Sequence, residues 1–341
     1  PFITSIFPLG GQAGSPTVAR IEGWNLPWDE VVLDTWTGLR KTQRSAWNSG
    51  DRWTNVVTYA VDELPDLEEI PGTRQSLSLP LIVNGRIGRP GEIDLYQFDG
   101  RAGGEVVAEI EARRLGSPLD SVLQLLDESG RVLAWNDDHP DKRAGLVTPQ
   151  ADSHVRATLP RNGTYLIRVA EGQSHGGPAY GYRLRVSPPR PDFAVLVTPA
   201  SINAPGGMLA PITVHAVRLD GYEGDIDLEL RDAPPGFALS GARIPAGREM
   251  VRMTLADPPL RTKEPIPLRI VGRAEVEGKE VTRLAIPAED MMQAFGLRHL
   301  VPARQLMVDV LKSWRRAPPM RLVRDAPTRI PVGGSAEVHV L

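Results

Sequence analysis

A period of two constrains this chain more than any other feature. Apolar side chains alternate with polar ones in short segments such as Phe2-Ile3-Thr4-Ser5-Ile6-Phe7, Asp94-Leu95-Tyr96-Gln97-Phe98, Ile226-Asp227-Leu228-Glu229-Leu230 and Val251-Arg252-Met253-Thr254-Leu255. Successive side chains of a strand point to opposite faces, so each segment reads as a strand with one buried face. Pairs such as Gly10-Gly11, Asp220-Gly221, Pro235-Gly236 and Glu277-Gly278 punctuate them as turns. The 33 glycines and 32 prolines are spread along the chain rather than pooled, which suits many short strands. A length of 341 residues predicts several domains. The predicted fold class is therefore all-β, a row of tandem β-sandwiches. One exception is expected. Pro287-Ala288-Glu289-Asp290-Met291-Met292-Gln293-Ala294-Phe295 has a proline at a first turn, early acids and apolar residues at helical spacing. It predicts a short helix near 288–296, with Met291, Met292 and Phe295 packed on a sheet.

Composition removes several function classes. With 39 basic and 42 acidic residues the formal charge is −3, so no nucleic-acid footprint is expected. No apolar run is long enough for a transmembrane helix, and no membrane insertion is expected. The absence of cysteine rules out disulfides, thiolate metal sites and a cysteine nucleophile. The chain opens at Pro1 and ends in the alternating Ala336-Glu337-Val338-His339-Val340-Leu341, which reads as a piece of a longer polypeptide.

The stretch Pro118 to His139 reads as a hairpin. Val122, Leu123, Leu125 and Leu126 form one strand, Asp127-Glu128-Ser129-Gly130 the turn, and Val132, Leu133 and Trp135 the returning strand. Asp120 precedes the hairpin and Asn136-Asp137-Asp138 follows it, so the topology brings three carboxylates and an amide to one end. Like charges held close repel unless a cation neutralises them. Oxygen-only donors favour a hard ion, which makes calcium the expected cofactor of Asp120, Asp137 and Asp138. The same residue types also cap turns through their own backbone.

Two resemblances divide the chain. Pro-x-Ile-x-x-Ile-x-Pro-x-Gly-Gly, followed by Gly23-Trp24-Asn25-Leu26, resembles the immunoglobulin-like domains of plexins and transcription factors (IPT/TIG), and implies such a sandwich over 1–64. Its tryptophans Trp24, Trp28, Trp36 and Trp47, with Trp53 nearby, could form an aromatic platform for sugars or fill the core. Then come Gly91-Glu92-Ile93-Asp94-Leu95-Tyr96-Gln97-Phe98, Leu119-Asp120, Asn136-Asp137-Asp138, Gly163-Thr164-Tyr165-Leu166-Ile167-Arg168-Val169 and Gly181-Tyr182-Arg183-Leu184-Arg185-Val186. In this order they resemble the bacterial pre-peptidase C-terminal domain. That resemblance implies a jelly-roll sandwich over 76–187 behind a linker at 65–75. In collagen-binding relatives of that domain, calcium is held by linker acids and by the strand carrying Asp-x-Tyr. The corresponding positions are Glu68, Glu69, Glu92 and Asp94, although Glu69-Ile70-Pro71-Gly72 lacks the asparagine often found in relatives. Alternating segments then predict an immunoglobulin-like sandwich over 188–312 and the start of another over 313–341.

No pattern supplies a nucleophile with its base. Asp152, Ser153 and His154 are contiguous, and neighbours on a strand point to alternate faces, so they cannot converge as a triad. There is no Gly-x-Ser-x-Gly elbow. The expected function is that of a non-catalytic, extracytoplasmic segment of a larger bacterial secreted or surface protein. Its expected partners are the remainder of its own polypeptide and an extracellular protein or polysaccharide, and its middle domain could assist a neighbouring protease-type domain. The alternatives are a glycoside hydrolase built on Asp137 with Asp120, and a plain structural spacer.

Overall fold

The computed structural model describes residues 1–36, 42–138, 152–259, 261–292 and 298–312, together with 336, 337 and 339. The start of a further sandwich expected over 313–341 lies almost wholly outside these residues. Among the described residues the regular structure is strand throughout, apart from one turn of 3-10 helix at Arg113–Leu115.

The first domain pairs Phe2–Phe7, Thr17–Trp24 and Glu30–Leu33 in one sheet, and Gly10–Gln12, Val57–Asp62 and Thr42–Ser45 in another. A two-stranded hairpin, Asn48–Ser49 with Arg52–Trp53, completes it. Alternation sorts its faces: Ala19 and Ile21 are buried while Val18, Arg20 and Glu22 are exposed. Ile3, Ile6, Leu33, Tyr59 and Val61 fill the core, and Leu115 of the middle domain is buried in the same cluster.

The middle domain stacks two five-stranded sheets. One runs Arg74–Ser76, Ile93–Gly100, Gly163–Glu171, Ser121–Asp127, Val132–Asn136, and the other His154–Thr158, Glu105–Glu111, Gly181–Ser187, Leu81–Arg86, Asp66–Glu68. Tyr96, Phe98, Tyr165, Ile167, Val169, Leu123 and Leu125 face the core between them, each at the inward position of an alternating strand. Residues 65–75, read as a linker, provide an edge strand to one sheet at Asp66–Glu68 and lead into an edge strand of the other at Arg74–Ser76. The hairpin forms as expected. Asp127 Oδ1 accepts the N–H groups of Ser129 (2.9 Å) and Arg131 (3.1 Å), and Gly130 takes φ +84°.

The third domain stacks two six-stranded sheets, with Phe193, Val195, Val214, Ile226, Leu255, Ile270 and Val308 at its centre. Here the helix expectation fails. Ile286–Met292 is a strand, parallel to Asp192–Thr198 and antiparallel to Arg298–Pro302. Ala288 is buried against Leu196 and Val217, and Glu289 Oε1 accepts the N–H groups of Ala200 (3.0 Å) and Ser201 (3.1 Å). Ladder hydrogen bonds and burial outweigh a local helix preference worth only tenths of a kcal/mol per residue. Met291 and Met292 are exposed rather than packed on a sheet, and Phe295 lies outside the described residues.

Candidate cation site where the chain enters the middle domain

The parallel pairing of Asp66–Glu68 with Leu81–Arg86 carries Glu69 onto the end of the sheet, where its N–H donates to Asn84 O at 3.0 Å. Its carboxylate then lands on a buried pair of tyrosines. Glu69 Oε2 accepts from Arg86 N (3.0 Å), Tyr96 OH (3.3 Å) and Tyr182 OH (3.2 Å). The Tyr182 hydroxyl also lies 2.6 Å from Asp94 Oδ2 and 2.6 Å from Tyr96 OH. One phenol group thus bridges two carboxyl groups inside the sandwich. Inward alternation along Ile93–Gly100 puts Asp94 beside Tyr96, as the sequence predicts.

The electrostatics follow from burial. Desolvation, and next the charge of Glu69, push the Asp94 carboxyl up to about 8. Burial also raises Glu69, against the hydrogen bonds it accepts. It raises the phenols of Tyr96 and Tyr182 as well, so both stay protonated donors. Two buried carboxylates this close do not both ionise unaided: they hold a proton or require a cation. The donors are oxygen throughout, which suits a hard ion, and calcium readily completes its shell with water. Glu69 and Asp94 are the two residues that would hold it. Glu92 lies just outside, its Oε2 accepting from Arg89 N at 3.1 Å. Among the described residues no group of three or more His, Cys, Asp or Glu is arranged to hold a metal.

Gly85 makes the cluster possible. A Cβ there would sit 2.3 Å from Tyr182 Cζ and 2.6 Å from Glu69 Oε2. Gly85→Ala is therefore expected to displace the ring and destabilise the domain by about 1–3 kcal/mol. Thermal unfolding of the full chain checks this, and an unchanged melting temperature would contradict the packing described.

Three strands across from Asp94 at the same end of its sheet, in the row Asp94–Val169–Leu123–Asn136, the hairpin acids are arranged differently. Asp137 and Asp138 are exposed. Asn136 donates its amide to Asp138 O (2.6 Å), and its side-chain oxygen accepts from His154 N (2.9 Å). Asp120 is half-buried, and its backbone carbonyl accepts from Gly172 N at 2.8 Å. His139 lies outside the described residues.

Asp152, Ser153 and His154 point to three separate partners. Asp152 accepts the N–H groups of Ala112, Arg113 and Arg114 and the Arg114 Nε–H at 2.8 Å, pinning the 3-10 turn that carries Leu115 into the first domain. Ser153 Oγ pairs with Ser121 Oγ at 2.7 Å, and His154 Nε2 lies 3.7 Å from Asp220 Oδ1.

That last contact belongs to a buried ionic joint between the middle and third domains. Arg185 donates from Nη2 to Glu109 Oε2 at 2.6 Å and from Nη1 to Asp220 Oδ2 at 2.6 Å. Asp220, at φ +48° in the turn after the strand Leu209–Leu219, also accepts Arg190 N at 2.7 Å. Burial works against its charge, yet the hydrogen bonds from His154 and Arg185 hold it well below the usual carboxylate range. Glu109 is held down likewise by Arg185 and Arg114 in spite of its burial. Arg190 Nη1 reaches back to Asp62 of the first domain at 2.7 Å, and the Arg86 guanidinium lies 4.2 Å from the Phe7 ring centroid. No single segment of the sequence spells out this joint. A signal existed: Glu109 and Glu111 share one strand face, as do Arg183 and Arg185, and in register they face each other as Glu109↔Arg185 and Glu111↔Arg183.

Comparison with known proteins places the chain as follows. No protein-family model matches it. A probable subtilase-type serine protease of Deinococcus radiodurans is 38% identical over 84 residues, 24% of this chain and 10% of the protease. The chain thus matches about a tenth of that relative's length. Among solved structures, the pre-peptidase C-terminal domain of a Bacillus anthracis collagenase aligns at 15% identity and TM-score 0.26, over 35% of this chain and 99% of its own. Fibronectin(III)-like modules of Clostridium thermocellum CbhA align at 12% identity and TM-score 0.17, over 58% and 93%.

Proposed function

We propose that this chain is a non-catalytic arm of a larger secreted or cell-surface protein, which holds neighbouring domains at a fixed spacing. One observation carries the reading: Arg185 bridges buried carboxylates of two domains, Glu109 and Asp220. Charges removed from water and paired in one geometry disfavour any arrangement that separates them. Leu115 of the middle domain in the first core, and the Arg190–Asp62 pair between the third domain and the first, support the same reading. Together these contacts favour one fixed arrangement of the three sandwiches over beads on a string. The stretch similar to a subtilase-type protease supports a protease-type domain as the neighbour, and with it an extracytoplasmic location.

Calcium is proposed to act at Glu69 and Asp94, in place of the proton they share, and so to stiffen the way into the middle domain. The test is thermal unfolding of the full chain at pH 8 with calcium from zero to 10 mM. Extracellular sites bind with dissociation constants of about 0.1–1 mM, so 10 mM calcium should stabilise by about 1–3 kcal/mol. The middle-domain transition should rise by on the order of 5 °C, and Asp94→Asn should abolish the rise. No shift in the native chain removes the ion from the proposal. A shift that survives Asp94→Asn but is lost in the Asp137→Asn/Asp138→Asn double variant moves it to the hairpin acids. Small-angle scattering that reports freely jointed domains would remove the arm.

A further inference from the structure

The first domain carries a groove that the arm does not use. It encloses about 360 Å³ and is lined by Trp28, Trp47 and Trp53, with Glu30 and Asn48 among them. That volume falls within the range of small-ligand sites, about 300–1,000 Å³. Trp53 is 63% exposed, and Trp28 and Trp47 are half-buried. Trp47 packs one side on the core of Ile3, Ile6, Ile21, Leu33 and Tyr59, while Trp28 and Trp53 stand outside that cluster.

The groove is held in shape before any ligand arrives. Trp47 donates its indole N–H to Val32 O at 3.2 Å and its backbone N–H to Thr54 Oγ1 at 3.0 Å, so the ring cannot swing inward. Trp53 and Asn48 are cross-strand partners in the hairpin, which sets an amide beside an indole. Glu30 comes from the edge strand Glu30–Leu33 and is exposed.

We propose that this groove binds a neutral oligosaccharide. A pyranose presents a face of C–H groups that stacks on an indole, while its rim of hydroxyls donates to a carboxylate or an amide oxygen. Aromatic faces interleaved with Glu30 and Asn48 match both needs. A proline-rich peptide matches less well. Its prolines carry no N–H or O–H donor, so it leaves the Glu30 carboxylate unpaired, whereas a pyranose hydroxyl donates to it. An acidic polysaccharide would bring its carboxylates against Glu30. The inference does not rest on the arm or on calcium. A groove that failed to bind would leave the Arg185 joint as it is.

The test titrates the full chain with cellohexaose, xylohexaose, chitohexaose and oligogalacturonate, followed by tryptophan fluorescence and calorimetry. At least one neutral hexasaccharide should bind and the oligogalacturonate should not. Trp53→Ala should weaken binding by about tenfold or more, roughly what loss of one stacked ring implies. Glu30→Gln should weaken it several-fold. Trp36→Ala, at an exposed ring outside the groove lining, should leave it unchanged. Circular dichroism confirms that each variant is folded. Absence of binding by every neutral hexasaccharide at millimolar concentration overturns the proposal. So does equal binding by Trp53→Ala, or binding of a decaproline peptide in place of the sugars.

Discussion

Arg185→Met should lower the stability of the middle domain by about 3–5 kcal/mol, the range for breaking a buried ion pair from one side. The cause is less the loss of the pair than what is left behind. Glu109 and Asp220 would both lose a guanidinium partner within the joint. Arg114 would still hold Glu109 at 2.8 Å, and His154 with the Arg190 N–H would still face Asp220, so Asp220 should relax by moving out to solvent. The joint between the middle and third domains should then open. Small-angle scattering of the full chain should show a larger radius of gyration and a broader distance distribution, alongside a lower first melting transition. Adding Glu109→Gln and Asp220→Asn to Arg185→Met should recover much of the stability, since no uncompensated charge remains, without restoring the fixed angle. A loss below about 1 kcal/mol with unchanged scattering would show the joint to be held by something other than these charges.

Stability should fall as pH rises from 6 to 9, the opposite of the usual acid-limited behaviour. The sign comes from Asp94, whose carboxyl moves from 3.8 to about 8 on folding. Between those values the folded chain holds a proton that the unfolded chain has released, so stability declines with pH until the folded carboxyl has also ionised. With Glu69 sharing the load, the effect is on the order of a few kcal/mol. Glu109 and Asp220 work in the other sense. Their carboxyls are held low when folded, so their contribution is complete above the unfolded carboxylate range and is lost on acidification. Acid should therefore loosen the domain joint, and base should loosen the Glu69–Asp94 cluster. Maximum stability falls where the two slopes cancel, at about pH 4 to 5. Melting temperature against pH checks this, with Asp94→Asn as the decisive variant. An asparagine amide can still accept from Tyr182 and donate to Glu69, so the slope between pH 6 and 9 should flatten. A flat profile in the native chain, or the same slope in Asp94→Asn, would refute the shared proton.

The strand Ile93–Gly100 and the segment 286–292 show how far the sequence could be read. Asp94, Tyr96 and Phe98 follow from alternation alone, because the inward face of a strand is fixed by a period of two. Glu69 and Asp94 as neighbours came from resemblance, and no local pattern carries it. Their meeting depends on a parallel pairing of Asp66–Glu68 and on Tyr182, far along the chain, closing over both. At 286–292 the local signature pointed the wrong way: a proline, two acids and two methionines spell a helix start, but an open sheet edge beside Asp192–Thr198 took the segment as a strand.

By itself, then, the sequence determined the class of fold, the inward and outward faces of its strands, the hairpin turn at Asp127–Gly130 and the absence of a contiguous triad, all of which rest on periods and turn residues within a few positions. Tertiary structure alone decided that Arg185 spans two domains, that Asp94 is buried against Tyr182 rather than facing solvent, and that three tryptophans line one groove. The reason is physical. Burial, desolvation and charge pairing depend on which strands become neighbours, and that is a property of the whole packed chain.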